Sequence, residues 1–473
     1  AIPMPCSRVQ HGAPCNVVLG LLVLFMFGLL SQVESKPSTT DELEKLGVSA
    51  DELRKEAAGI LDWIVDIRRH LHRRPELQYG LNETSHIVRS ALDEIGVSYK
   101  FPVAKTGIVG MIGTGGEPVV ALRSDMDALP ILEVGFEDTA SFKSEVDGRM
   151  HACGHDAHMA MLLGAAKILK GREKLLKGTV RLIFQPAEEG GAGAFMMTQE
   201  GVLTDPPVQR VFGMHVWPWL PSGSVGTVSD TIFAAAGRFS VKVNGVGGHA
   251  ACGIGAGVVD PILASSAIVT ALQSVVSRDV APLDQGVVSI TKINAGEAYN
   301  VIPPFVTIGG TLRAFNKKTY ELIERRTREI IEGISMAHGC TAEMTFTNFE
   351  PACLEDGNSP FGSMCTYPPT KNDPMMLELV KGAATALVGS DMVKPGEATM
   401  GGEDFAYFAE KVPGTMVYLG IGNETKQTTA GLHSPRFRLD ETVMDRGAAL
   451  HALVALQSLQ DLNGLAAAHT QEL

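Results

Sequence analysis

Between residues 51 and 77 the chain reads DELRKEAAGILDWIVDIRRHLHRRPEL, with apolar positions at Leu53, Ala57, Ile60, Leu61, Ile64, Ile67 and Leu71. That helical spacing predicts one amphipathic helix, ended by Pro75. NETSHIVRSALDEIGV predicts a second helix, closed by Gly96. Short runs rich in Val, Ile and Leu follow: TGIVGMIG, PVVALRSDMDAL, TVRLIFQPAEE, RVFGMHVWP and GTMVYLGIG. They read as strands, several of them separated by helical stretches such as DAHMAMLLGAAKILK and GGAGAFMMTQEGVL. This alternation predicts an α/β domain with a largely parallel or mixed sheet. Ligand sites in such sheets gather beyond the carboxyl ends of strands, where SDMD, PAEE and MHVWP lie.

Residues 236–346 follow a different pattern. RFSVKVNGVGG, GVVSITKINAG, FVTIGGTLRAF and TAEMTFTNF read as strands, and VDPILASSAIVTALQSVVS and KKTYELIERRTREIIEGISMAHG as helices. The resulting β-α-β-β-α-β order is that of a ferredoxin-like sandwich. The α/β pattern resumes after about residue 350 with MMLELVKGAATALVG. The expected organisation is therefore a discontinuous α/β domain over residues 36–235 and 349–465, with residues 236–348 inserted into it.

The N-terminal run NVVLGLLVLFMFGLL (Asn16–Leu30) is almost wholly apolar and follows Arg8. It is short for a membrane span and has the shape of a signal-peptide core, with Val33 and Ser35 flanking a cleavage point. Residues 1–35 are accordingly expected to be a signal peptide, which places the mature chain in the endoplasmic reticulum lumen or outside the cell, and not in a membrane. An uncleaved anchor is the competing reading. The sequons at Asn82 and Asn423 would then be open to glycosylation, whereas the terminal TQEL only loosely resembles a retention signal. The composition of the whole chain, 45% hydrophobic and 20% charged, suits a soluble protein with a sizeable core. A net charge of −13 argues against nucleic acid or an anionic membrane as partner. Cys153, Cys252, Cys340, Cys353 and Cys365 are too widely spaced for a disulfide framework.

HACGHDAH (residues 151–158) concentrates metal-ligating side chains. Asp156 suits an N-cap for the helix that follows, or a partner supporting the ligands, so the preceding segment is expected to be extended, with Cys153 and His155 facing one site. His151 lies further out and His158 falls inside the first turn, which leaves both with supporting roles. Glu188 and Glu189 are adjacent carboxylates on a glycine-rich turn, costly to bury unless a cation offsets them. One could bind metal and the other act as general base. His215 ends an apolar strand and His433 precedes a Ser-Pro turn. A lone histidine at either place is more often structural, but together with Cys-x-His and Glu-Glu they supply five ligands and a spare carboxylate. A single catalytic zinc takes about three protein ligands, so five suits two ions sharing a bridge.

SDMDALP, HACGHDAHMAMLLGAA, QPAEEGGAGA, GMHVWP, GGHAA, NVIP, GTLRAF, GGEDFAYF and GLHSPRF occur in that order. In this combination the chain resembles the di-metal metallopeptidase family of aminoacylases, hippurate hydrolases and plant auxin–amino-acid conjugate hydrolases, and is most similar to the plant branch. The resemblance implies metal ligation by Cys153, His155, Glu189, His215 and His433, with Glu188 as general base and Asp127 as a supporting acid. It implies that His249 contacts the reacting group, sometimes from the partner subunit, and that Asn300 and Arg313 lie near substrate. The fold implied is a di-metal catalytic domain with an inserted lid that often dimerises. The ions implied are two divalent metals, Mn2+ or Zn2+, with manganese favoured by the plant relatives. The implied substrates are N-acyl amino acids, cleaved to a free acid and an amino acid. A carboxypeptidase, dipeptidase or general aminoacylase could use the same site, and a non-catalytic binding protein is the rival of another class. CGIGAGVVDP and ILEVGFEDTASF depart from the family wording, which bears on substrate preference.

Overall fold

The computed structural model describes residues 48–253, 255–349 and 365–471. The apolar run at Asn16–Leu30 and Cys353 lie outside the described residues. In chain order the α-helices of seven or more residues are α1 (Ala50–Gly59), α2 (Leu61–Arg73), α3 (Asn82–Ile95), α4 (His155–Gly171), α5 (Gly193–Gln199), α6 (Pro261–Ser274), α7 (Lys317–Ala337), α8 (Pro374–Val388) and α9 (Met444–Gln471). The strands are β1 (Ser98–Val103), β2 (Gly107–Gly113), β3 (Val119–Asp125), β4 (Thr179–Gln185), β5 (Arg210–Pro221), β6 (Val225–Thr227), β7 (Thr231–Phe233) and β8 (Ala235–Asn244). They continue as β9 (Gly248–His249), β10 (Gly286–Ala295), β11 (Val301–Ile302), β12 (Phe305–Ala314), β13 (Thr341–Phe346), β14 (Thr370–Lys371), β15 (Val393–Pro395) and β16 (Gly414–Gly422).

The single helix expected over residues 51–77 is in fact two. Gly59 weakens the helix, and Ile60 leaves helical geometry at φ −113° and ψ 10°. The break lets α1 pack on α8 and α9 while α2 packs on α4. The second expected helix is α3, and Gly96 closes it in the left-handed conformation.

An eight-stranded mixed sheet runs in the order β1-β2-β4-β3-β5-β16-β6-β15. Its centre, β4-β3-β5-β16, is parallel. Every residue of β3 and β4 is buried, because both faces are covered. Val120, Leu122, Leu182 and Phe184 point into the core beneath α1, α2, α4 and α9. Val119, Ala121 and Ile183 point the other way, onto Ala194, Phe405 and Phe408. The order β-α-β-β-α-β is present from β8 to β13, as a separate antiparallel sheet β10-β12-β8-β13 with its own apolar cluster against α6 and α7.

Close packing of the helical layer rests on Gly164 in α4. A Cβ there would come within 2.7 Å of Ile64 Cδ1 on α2 and 2.9 Å of Ala448 Cβ on α9. Gly164→Leu is expected to cost at least ~1–3 kcal/mol through overpacking, read as a lower denaturant midpoint in equilibrium unfolding.

Candidate metal centre

Strand register brings the polar ends together. Asp125 on β3 lies opposite Gln185 on β4, and Arg123, two residues earlier, lies opposite Gly213 on β5, two before His215. Asp125, Gln185 and His215 therefore stand level on three parallel strands. The chain leaves β3 into Asp127 and leaves β4 into Glu188 and Glu189, while α4 begins at His155.

The geometry at HACGHDAH differs from the extended segment expected. Gly154 is left-handed at φ 88° and is itself the N-cap of α4, with no side-chain cap. A Cβ at Gly154 would sit 2.5 Å from Val216 Cγ2, so the turn needs glycine twice over. Cys153 and His155 still face one point, but through a tight turn. Asp156 does not cap the helix. It is fully buried in the first turn, where Oδ2 pairs with Arg68 Nε at 2.8 Å and His72 Nδ1 at 2.7 Å. Burial opposes its charge, but Arg68 and His72 outweigh it and hold the Asp156 carboxyl well below the usual range.

His158 spends both ring nitrogens on the scaffold. Nδ1 pairs with Asp125 Oδ1 at 2.7 Å, and Nε2 accepts the Val216 N–H at 2.9 Å. His155 and His215 instead donate Nδ1–H to the carbonyls of Asp127 at 2.7 Å and Val216 at 2.8 Å, which frees each Nε2 to bind a cation. Asp127 also receives the Glu188 N–H at 2.9 Å and the Glu189 N–H at 3.1 Å, so one residue positions the carboxylate turn and a histidine ring.

Ala187 precedes that turn in the left-handed region at φ 57°, and His433 is left-handed at φ 61°. Strained non-glycine backbone of this kind gathers at functional sites. The carbonyls of the turn are also tied down. Gln78 Nε2 donates to Glu189 O, Tyr79 Oη to Gly191 O and Tyr367 Oη to Glu188 O.

Among the described residues, the expected ligands and Glu188 fall into three overlapping groups, each with all its ligand atoms within 4.8 Å of one another: Cys153, His155 and His215; Cys153, Glu189 and His433; His155, Glu188 and Glu189. Two further groups, Asp125–His155–His158 and Glu188–Glu403–Asp404, lie behind them on the scaffold side. Cys153 Sγ lies 3.4 Å from His215 Nε2, and Glu189 Oε1 lies 3.3 Å from His433 Nε2. His155 Nε2 is buried without a hydrogen bond. Imidazole, thiolate and carboxylate aimed at one place, with a buried nitrogen left unsatisfied, fit divalent metal ions.

Electrostatics give the same answer. Burial, reinforced by Glu189 and Glu188, pushes the Cys153 thiol well above its ordinary pKa in the metal-free chain. Burial, Glu403 and Glu189 push the Glu188 carboxyl well up. For His155, burial is outweighed by Asp125 and Asp127, and its pKa rises to about 10. Such shifts describe an excess of negative charge, which a bound cation inverts.

Not anticipated from the sequence are the groups that hold this charge in place. Arg123, 1% exposed, donates to Gln185 at 2.8 Å, Asp125 at 3.0 Å, Glu403 at 2.9 Å and Asp404 at 3.1 Å. Glu403 and Asp404 lie within GGEDFAYF, which carried no chemical reading of its own. The signal available was a charged pair inside an apolar run.

Cys153, Glu188, Glu189, His215 and His433 line a cavity of about 560 Å3, as does Arg313. Trp217, Trp219, Phe233 and Leu432 form its apolar wall. His249 and Asn300 do not line it. Both are exposed, on or beside the β9-β11 pair, where Ala250 N donates to Asn300 O. His249 Nδ1 accepts from its own loop, the Ala251 and Cys252 N–H groups.

Residues 121–457 match the model of peptidase family M20/M25/M40. An IAA-amino acid hydrolase ILR1-like 2 from Arabidopsis thaliana is 43% identical over 94% of this chain and 96% of its own length. An N-acetylcysteine deacetylase from Bacillus subtilis is 39% identical over 84% of this chain and 98% of its own. The crystal structure of a dinuclear metal-binding peptidase from Bacillus subtilis superposes with a TM-score of 0.69 at 34% identity, over 85% of this chain and 99% of that one.

Removing Asp156 would leave the Arg68 guanidinium, which is 3% exposed, with its Nη1–Glu441 pair at 3.2 Å but with Nε unpaired beside His72. Asp156→Ala is expected to cost about 3–5 kcal/mol in denaturant unfolding, against under about 1 kcal/mol for truncation of an exposed ion pair such as Lys381–Glu378.

Proposed function

The chain belongs to peptidase family M20/M25/M40, and on that premise we propose that it hydrolyses the amide bond of N-acyl amino acids, auxin–amino acid conjugates among them. Two divalent ions, Mn2+ or Zn2+, would be held by Cys153, His155, Glu189, His215 and His433. The observation that carries this reading is the overlap of the ligand groups. Cys153 belongs to a histidine group and to a Glu189–His433 group at once, with Glu188 buried alongside.

When bound, the ions supply Lewis-acid polarisation of the amide carbonyl and lower the pKa of water. The rest falls to the chain. Glu188 takes the proton from the attacking water and passes it to the leaving nitrogen. Asp127 keeps Glu188 in place through the turn N–H groups. Arg313, half-buried in the cavity, pairs with the substrate carboxylate. Trp217, Trp219 and Phe233 take a flat aromatic acyl group and exclude water from it. That wall favours an arylacetyl or indolylacetyl group over the second reading, removal of a small acyl group such as acetyl.

The sheet from β8 to β13 is assigned to an inserted lid and dimerisation domain over residues 236–348. His249, as oxyanion donor, and Asn300 would reach a site through lid movement or from a second copy, since neither lines the cavity of its own chain. Passage through the secretory pathway is supported by the apolar run at Asn16–Leu30 and by disulfide-bonded Cys365. Among the described residues no helix is long and apolar enough to cross a membrane.

Glu188→Gln is expected to keep its metal content and lose turnover by ~10²–10⁴-fold, measured as metal per chain and kcat on indole-3-acetyl-alanine. Near-normal turnover would remove Glu188 as the base. Cys153→Ser should lower metal per chain, and an unchanged stoichiometry would take Cys153 out of the ligand set. Indole-acetyl, benzoyl and acetyl amino acids assayed beside dipeptides separate the conjugate hydrolase from an aminoacylase or a dipeptidase. Turnover confined to dipeptides would overturn the assignment.

A further inference from the structure

Strands β8 and β12 pair antiparallel with Thr311 opposite Arg238 and Arg313 opposite Ala236. Residues two apart on a strand share a face, so Arg238 and Arg313 are diagonal neighbours on one face of this sheet. The other face sends Phe239, Val241, Ile308 and Leu312 into the apolar cluster beneath α6 and α7. The arginine face lines the same cavity as the metal-ligand groups.

Arg238 drew no attention in the sequence, where RFSVKVNG reads only as a strand. Its guanidinium stands beside the carboxylate turn, because a Cβ placed on Gly190 would lie 3.8 Å from Arg238 Nη2. Among the described residues, neither Arg238 nor Arg313 enters an ion pair. Arg313 Nη1 reaches only the carbonyls of Leu312 at 3.3 Å and Gly237 at 3.5 Å. Both residues are half-buried. Burial, followed by the charge of Arg238, lowers the pKa of Arg313. Two cations held side by side on a sheet face repel each other, and anionic groups offset that repulsion. One carboxylate satisfies one guanidinium fork; a ligand with two separated carboxylates satisfies both.

We propose that this cavity selects N-acyl derivatives of acidic amino acids, with Arg313 taking the α-carboxylate and Arg238 the side-chain carboxylate. The inference rests on the reading of the site as an N-acyl amino acid hydrolase and adds which amino acids it takes. The amino-acid half lies along the arginine face, beside the carboxylate turn, and the acyl half lies against Trp217 and Phe233.

The test compares kcat/KM of the metal-loaded chain on the aspartyl, glutamyl and alanyl conjugates of indole-3-acetic acid. The wild type is expected to favour the two dicarboxylates by about ten-fold or more, mostly through KM, as a charge-assisted pair provides. In Arg238→Met the aspartyl-to-alanyl ratio should fall by about ten-fold, and Arg238→Lys should keep part of it. No acidic preference in the wild type, or an unchanged ratio in Arg238→Met, overturns the inference and leaves N-acyl amino acid hydrolysis standing. If no conjugate is hydrolysed, the reading of the site fails instead. Calorimetric binding of N-acyl-aspartate against N-acyl-alanine, in wild type and Arg238→Met, then decides the inference separately: equal binding of the two overturns it.

Discussion

Too much negative charge is buried in one place to stand alone. Asp125, Asp127, Glu188, Glu403 and Asp404 are each no more than 6% exposed, and half-buried Glu189 stands beside them. Arg123 is the buried arginine that faces this group, and it is already committed to Asp125, Glu403 and Asp404. Burying unpaired carboxylates costs several kcal/mol each unless cations or hydrogen bonds compensate. The cluster is tolerable because its members are divided between two tasks. Arg123, Gln185 and backbone N–H groups neutralise the inner part, and the outer part faces imidazole and thiol groups arranged to take up divalent cations.

The rest of the site follows from keeping that outer part open. Parallel strands hold Asp125, Gln185 and His215 level, so the ligands need no long loops to converge. Asp127 spends its carboxylate on the N–H groups of Glu188 and Glu189 and its carbonyl on His155. Those bonds fix the His155 ring and the backbone of the carboxylate turn. His158 shows the complementary case: its ring is saturated by Asp125 and Val216, so a histidine inside the cluster serves the scaffold. Behind α4, the Arg68–Asp156–His72 group anchors the helix that presents His155.

The cavity is polarised as a consequence. Carboxylates and metal-ligand groups occupy one side, aromatic side chains another, and two arginines from the separate antiparallel sheet a third. An N-acyl amino acid carries matching parts in its amide, its apolar acyl group and its carboxylate. The metal-ligand groups and the arginine pair pose the same physical problem, since like charges held together are offset by a ligand of opposite sign.

The sequence by itself determined the kinds of element and most of the side chains that meet at the centre. Helical and strand periods are local, and Cys153, His155, Glu188 and Glu189 stand at or just beyond ends of elements that those periods mark. His215, expected to end its strand, lies inside β5, which runs on to Pro221, and His433 lies in the loop after β16. Tertiary structure decided what depends on register, burial and backbone hand. It broke the first helix at Ile60, because two faces had to pack on different partners. It turned Gly154 left-handed and moved Asp156 from helix cap to buried ion pair, because Val216 crowds the turn and Arg68 lies behind it. It also left His249 and Asn300 outside the cavity and brought Arg238 beside Arg313, since the neighbours of a strand residue are set by pairing across the sheet and are not marked in its own segment.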